Sequence, residues 1–398
     1  MRIPIARPSL GAEEIEAAAR CLGSGWLTQG PEVAAFEREF AELVGAPYAC
    51  AVSNCTTALH LALIAAGVRA GDEVITVSHS FIATANAIRY LGAMPVFVDI
   101  ETDGFNIDID GVEAAITPRT RAILCVHQLG MPCRIDDLVG LARARGLVLI
   151  EDAACAIGSE VRSDGVWEKI GKPHGDAACF SFHPRKVVTT GDGGMITTRH
   201  AEWDRRFRRL RQHAMTVPDT IRHASATVIV EHYEELGYNY RMTDLQAAVG
   251  RCQLRRLSGL IEERRALAAR YLTRLSGMPG LHLPVEPEWA RSNWQSFAVR
   301  LTDGLEQIVV MQDLLDRGIA TRRGVMCAHR QPAYPPSTWT TAPASSAART
   351  RPLARSEEAE DSGLLLPLFA GMTEAEQDQV VDALAEVIAA RLPEQSVR

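Results

Sequence analysis

Residues 178–197 read ACFSFHPRKVVTTGDGGMIT: an apolar run, one lysine and a glycine-rich turn. Only three of the chain's 42 Lys+Arg residues are lysine, namely Lys169, Lys172 and Lys186. Arginine keeps its proton at neutral pH and cannot form an imine with an aldehyde, whereas a lysine amine can. Lys186, just past the apolar run, is therefore a candidate for carbonyl chemistry, although taken alone it could be a surface cation. Asp152, which ends the apolar run LVLIED, is a candidate buried carboxylate.

The surrounding elements say where such groups would sit. Residues 12–21 read as a helix broken by Gly23 and Gly25. A second starts near Pro31, with Val33, Phe36, Phe40 and Leu43 as its apolar stripe. After Tyr48, short β-rich runs (ACAVS, EVITV, PVFVDI, RAILCVH, LVLIED) alternate with helix-length segments. Apolar runs without strict alternation predict parallel strands buried on both faces, hence an α/β domain of the doubly wound type. Such a sheet binds ligands at the carboxyl ends of its strands. Those ends carry residues 53–57, 78–81, 127–128, 152 and 181–186.

Together these residues meet the needs of pyridoxal phosphate: a lysine for the aldehyde, a carboxylate for the ring nitrogen, amides and hydroxyls for the phosphate, and a face for the ring. Lys186 offers the amine and Asp152 the carboxylate. Thr56 and Thr57 open a helix whose free amides and positive dipole end suit a phosphate, and Ser181 adds a hydroxyl. Phe81 can stack on the ring. Each also has a plainer reading: Asp152 could cap a helix, Thr56-Thr57 could be an ordinary helix start, and Phe81 could belong to the core.

CFSFHPRKVVTTGDGGMITT and GYNYRMTDLQAAVGRCQL, supported by SGWLTQGPEVAAFE, SNCTTALHLAL, SFIATANAI, EDAACAIGSE, HRQPAY and LPLFAGMTEAEQ, resemble the DegT/DnrJ/EryC1/StrS sugar aminotransferases. The resemblance implies a fold type I transferase, with a mostly parallel central sheet flanked by helices and a smaller α+β C-terminal domain. It implies that Lys186 forms the imine with pyridoxal 5'-phosphate, that Asp152 pairs with the pyridine nitrogen, that Ser181 and the Thr56-Thr57 amides bind phosphate, and that Phe81 lies near the ring. It also implies a homodimer with shared active sites, Asn239 reaching the partner's phosphate. The donor would be L-glutamate or L-glutamine and the acceptor a ketone of a nucleotide-linked sugar or a cyclitol, as in secondary-metabolite or surface-polysaccharide biosynthesis. A dehydratase-like enzyme of the same fold, or a catalytically silent regulatory relative, are the alternatives; relatives of the first kind usually replace the lysine.

Two departures from the family pattern are cysteines. Cys55 stands where glycine is usual before the phosphate-turn threonine, and Cys155 stands near the cofactor where glutamine or histidine is frequent. If both face the cofactor, thiol oxidation should inactivate the enzyme. His329, in the stretch that approaches substrate in relatives, is a candidate contact, although it could be a solvated loop histidine. Arg322 and Arg323 are candidate cations for an anionic substrate.

Composition bounds the rest. At 398 residues and 47% hydrophobic, two domains are expected, a large cofactor domain at 1–258 and a small one at 259–398. No apolar run is long enough to cross a bilayer and residues 1–10 lack a signal-peptide core, which points to the cytoplasm. Nine cysteines without a CxxC pair argue against structural zinc or a disulfide framework. A net charge of −7 argues against nucleic acid, and the basic run RRFRRLRQ reads as a solvated helix face. A hairpin at the active-site rim is expected from residues 160–176, with Lys169 and Lys172 at the surface. A long helix from about residue 242 should bend near Ser258-Gly259, and residues 332–348 read as a loop.

Overall fold

The computed structural model describes residues 2–217, 222, 225–342 and 351–392. Part of the expected 332–348 loop lies outside these residues. Its central sheet has eight strands in the order β1-β9-β8-β5-β4-β2-β3-β14. They are Tyr48–Val52 (β1), Glu73–Val77 (β2), Met94–Val98 (β3), Thr120–Val126 (β4), Val148–Asp152 (β5), Ala177–Ser181 (β8), Gly194–Thr198 (β9) and Thr340–Thr341 (β14). β6 and β7 are the strands Glu160–Ser163 and Val166–Lys169. Strands β8, β5, β4, β2, β3 and β14 pair in parallel, and β9 alone runs against its neighbours β1 and β8. β2 is buried at every residue, as expected for a strand covered on both faces.

A second, antiparallel sheet joins Leu281–His282 (β10), Phe297–Leu301 (β12), Gly363–Leu366 (β15) and Arg322–Arg323 (β13). Helices Gln307–Asp316 and Glu374–Arg391 contribute Val310, Leu314, Val380, Leu384 and Ile388 to the core around it. The helix Asp244–Arg274 serves both cores, with Leu257 and Ile261 in the first and Ala268 and Tyr271 in the second. It is helical without a break through Ser258-Gly259. A glycine costs a helix only about 1 kcal/mol, and the flanking leucines and arginines are good helix formers. Ile3 joins the second core and pairs with Ile319, while β14 returns to the edge of the first sheet.

Two charged segments differ from their sequence reading. The basic run is only in part a solvated face: Arg205 is exposed, but Arg211 is 3% exposed, and both it and Arg208 donate to the buried carboxylate of Glu37, which also accepts from Ala51 N at 2.9 Å. The residues that make this helix amphipathic show which face is polar; they do not show that a buried acid on the helix Pro31–Val44 lies opposite. The hairpin β6–β7 forms and pairs with Ala290–Arg291 (β11), and none of its strand residues lines the large cleft described below. Lys169 is half-buried there, its Nζ donating to Leu43 O at 2.9 Å, and Lys172 pairs with Glu168.

Candidate active site

At the carboxyl ends of the parallel strands lies a cleft of about 900 Å³. Its walls include Thr56, Thr57, Phe81, Asp152, Cys155, Ser181, Lys186 and Arg322, so the structure brings together residues from distant stretches of the chain. Lys186 follows β8 in a tight turn, its N–H donating to His183 O at 2.8 Å. Beneath that turn Phe180 packs on Phe40 and Phe182 on Phe36, with ring centroids 5.0 and 5.3 Å apart. The turn is held from above by Gln295, whose Nε2 donates to Arg185 O at 2.6 Å.

Asp152 ends β5 and is 5% exposed. Thr84 Oγ1 donates to its Oδ2 at 2.8 Å, Ala154 N to its Oδ1 at 3.2 Å, and Ser80 Oγ pairs with Thr84 at 2.8 Å. Burial pushes the Asp152 pKa up, against the pull of Thr84, Ala154 and Lys186. A cation facing the carboxylate would reverse that shift. Below it, His127 Nδ1 accepts from Cys133 N at 3.0 Å, so the ring carries its proton on Nε2 and donates it to Glu151 at 3.0 Å. This fully buried pair braces β4 against β5 and does not line the cleft.

The helix Cys55–Ala65 begins at Asn54, whose side chain caps Thr57 N at 2.9 Å. The amides of Cys55 and Thr56 have no partner among the described residues and are free donors at the positive end of the helix. Gly194 of β9 lies against this turn, and a Cβ there would come within 2.5 Å of Asn54 C and 2.8 Å of Cys55 N. Ser181 also lines the cleft, its Oγ 3.5 Å from His183 N. Phe81 is 63% exposed on the cleft wall and is not a core residue.

Lys186 Nζ donates to Cys155 Sγ at 3.1 Å. Burial would lower the lysine pKa, but Cys155, Cys55 and Asp152 outweigh it and the net shift is upward. Cys55 is buried, its Sγ donating to Cys179 O at 3.6 Å, and burial pushes its thiol well up. All nine cysteines are free.

Two expected contacts fall outside the cleft. His329 is largely buried, with Nδ1 at 2.6 Å from Ser78 Oγ and Nε2 at 3.2 Å from Glu357 Oε1. A buried imidazole needs a partner at each nitrogen, and these two tie it to the end of β2 and the helix Ala354–Ser362, so it is not a solvated loop histidine and does not line the cleft of its own chain. Asn239 is exposed and lies outside the cleft of its own chain. Three residues that the sequence reading missed help to build the site: Thr84, Gln295 and Asn293, whose Nδ2 donates to Cys155 O at 2.8 Å. A threonine four residues after a strand-end serine, on a helix just past the strand, was the signal for Thr84.

Residues 8–385 match the DegT/DnrJ/EryC1/StrS aminotransferase family. The chain belongs to that family. Among solved structures it is similar to DesV of S. venezuelae, determined with a ketimine intermediate, at 36% identity over 98% of this chain and 100% of that one, TM-score 0.86. The aminotransferase TlmJ from Streptoalloteichus hindustanus is 32% identical over 98% and 99% of the two chains, TM-score 0.86. Spr1654 from Streptococcus pneumoniae, a candidate sugar aminotransferase seen in its PMP form, is 26% identical over 98% and 100%, TM-score 0.89. This protein is thus a pyridoxal-phosphate-dependent aminotransferase with the fold type I architecture. The cleft fits that cofactor, with a buried carboxylate held by two donors and two unpartnered amides under a strand that only glycine allows so close.

Proposed function

We propose that this aminotransferase moves an amino group from L-glutamate or L-glutamine to the ketone of a nucleotide-linked sugar. The observation that carries the reading is the convergence of Lys186, Asp152, Ser181 and the Cys55–Ala65 helix start in one cleft. Pyridoxal phosphate bound there supplies an aldehyde to take up the amino group and a ring that spreads the electron pair left when a carbon loses its proton. Lys186 Nζ holds the cofactor between turnovers and, once released, carries the proton from the donor carbon. Asp152, oriented by Thr84 and Ala154, keeps the ring nitrogen protonated. The free amides of Cys55 and Thr56, with Ser181, hold the phosphate, and Phe81 covers the ring. Asn239, exposed and away from its own cleft, completes the phosphate site of a partner in a homodimer.

The cleft also speaks to the acceptor. Arg185 and Arg322 are exposed on its wall with no ion pair among the described residues, whereas Arg323 is taken by Glu360 at 2.7 Å. Two unpaired arginines suit the diphosphate of a nucleotide-linked substrate better than an uncharged cyclitol. Adding L-glutamate or L-glutamine to the loaded enzyme should convert the spectrum to that of the pyridoxamine form, and Lys186→Ala should abolish the conversion. A keto-substrate screen follows. Arg322→Ala should raise the KM of a nucleotide-linked acceptor about tenfold while leaving donor conversion alone; an unchanged KM, or turnover of cyclitol ketones with none of nucleotide-linked ones, would overturn the acceptor assignment.

A further inference from the structure

Cys155 and Lys186 make a contact that the transfer reaction does not require. Their Sγ and Nζ are 3.1 Å apart, and both line the open cleft. The backbone on each side is pinned. Cys155 O accepts from Asn293 Nδ2 at 2.8 Å and Ala154 N donates to Asp152, so the main chain that carries the sulfur is held in place. On the other side, Lys186 N donates to His183 O at 2.8 Å and Arg185 O accepts from Gln295. The second cysteine of the cleft, Cys55, is 8% exposed and its sulfur donates to Cys179 O at 3.6 Å rather than meeting Lys186 Nζ in a hydrogen bond.

We propose that Cys155 and Lys186 form an oxidative cross-link, a sulfenamide, whenever peroxide meets the enzyme with its lysine released. The thiol sulfur first attacks hydrogen peroxide, breaking the O–O bond; sulfur is oxidised to the sulfenic acid and peroxide is reduced to water. Lys186 Nζ then attacks that sulfur, the S–N bond forms, and the hydroxyl leaves with one amine proton as a second water. One peroxide is consumed and two waters are released. Replacing the thiol by a neutral sulfenic acid also removes one of the groups that hold the lysine proton, which eases release of the nucleophilic amine. The bond blocks the one amine that can hold the cofactor. A thiol reductant cleaves it by attack at sulfur and restores the lysine.

This inference goes beyond the proposed function and rests on it in one respect only. With Nζ bonded to the cofactor's aldehyde carbon the lysine is protected, so the pyridoxamine state is the vulnerable one. Full-length protein is loaded with pyridoxamine 5'-phosphate, with pyridoxal 5'-phosphate, or left without cofactor; each sample is treated with hydrogen peroxide, digested with trypsin and mapped by mass spectrometry. In the pyridoxamine-loaded and cofactor-free samples, residues 146–162 should appear joined to residues 186–199, two hydrogens lighter than the separate peptides, and dithiothreitol should part them. The pyridoxal-loaded sample should show about tenfold less of the joined species. Cys155→Ser should yield none and keep a larger fraction of its own starting activity after peroxide; Cys55→Ser should cross-link like the parent. Cys155 recovered as sulfinic or sulfonic acid beside an unmodified Lys186 would overturn the proposal. Equal cross-linking in all three samples would support the bond and overturn the assignment of Lys186 as the cofactor-holding residue.

Discussion

Thr84 is the residue on which the carboxylate of the site turns, and Thr84→Val tests it with little change of shape. The residue is 1% exposed, and its hydroxyl donates to Asp152 Oδ2 at 2.8 Å and pairs with Ser80 at 2.8 Å. Asp152 has one other donor, Ala154 N at the longer distance of 3.2 Å. A hydrogen bond to a charged group contributes about 1.5–3 kcal/mol, and Ser80 can recover part of it by turning toward the carboxylate. The net loss in cofactor affinity should therefore be about 1.4 kcal/mol, roughly tenfold in Kd. The valine also removes a donor that opposes the burial of Asp152, so the carboxyl pKa should rise further and affinity should fall at a higher pH as the solution is acidified. Absorbance titration of the cofactor-free protein with pyridoxal 5'-phosphate across pH 5–8 reads both effects. Thr84→Ser, which keeps the hydroxyl, should restore affinity. Unchanged affinity in Thr84→Val, or a serine variant as weak as the valine, would refute the placement of the ring nitrogen at Asp152.

Three further outcomes follow from the same geometry. Gly194→Ala drives a methyl to within 2.5 Å of the Asn54 backbone and should displace the phosphate turn; overpacking of about 1–3 kcal/mol predicts a roughly 5- to 150-fold weaker cofactor, read by titration against an unfolding midpoint measured without cofactor. Burial alone would raise the Glu37 carboxyl, but Arg211 and Arg208 outweigh it and hold it below the ordinary 4.5. Its contribution is therefore complete above that pH and is lost as pH falls through the lowered folded value, so urea midpoints should drop in acid. In Glu37→Gln, midpoints should be lower at pH 7 by about 3–5 kcal/mol of stability and flatter in acid. Finally, Lys186→Ala and Asn239→Ala, each impaired alone, should regain activity when mixed and allowed to exchange subunits, because one hybrid site then carries neither change; failure to regain it despite exchange would place Asn239 outside the shared site.

The sheet was legible because its strands are buried on both faces. A run such as EVITV has no polar alternation to hide, and the segments between runs are the length that a parallel crossover needs. What escaped was anything set by contacts between distant residues. The Glu37–Arg211 pair spans 174 residues, and helical spacing can report only which side of residues 201–210 is polar. The unbroken helix through Gly259 is a different case. A glycine lowers the propensity for helix, but two separate cores pull on the same rod from either side of it, and that tertiary term outweighs the local one.

The site divides along the same line. Lys186 and Asp152 could be read because strand order in an α/β sheet fixes where the last residue of each strand must lie, so position along the chain translates into position in the cleft. The surroundings of His329 were not legible because sequence neighbours in a loop do not reveal which nitrogen finds which partner; its two bonds make it a clamp between the end of β2 and the helix Ala354–Ser362. Gln295 could not have been found at all. It sits before β12 of the second sheet, yet it bonds Arg185 O beside the lysine and leaves its Oε1 buried with no partner among the described residues. Because Nε2 must face a carbonyl, the amide orientation is fixed and the buried oxygen is the cost of that contact. The second sheet therefore does more than cover the cleft: through this one amide it fixes the turn that carries Lys186.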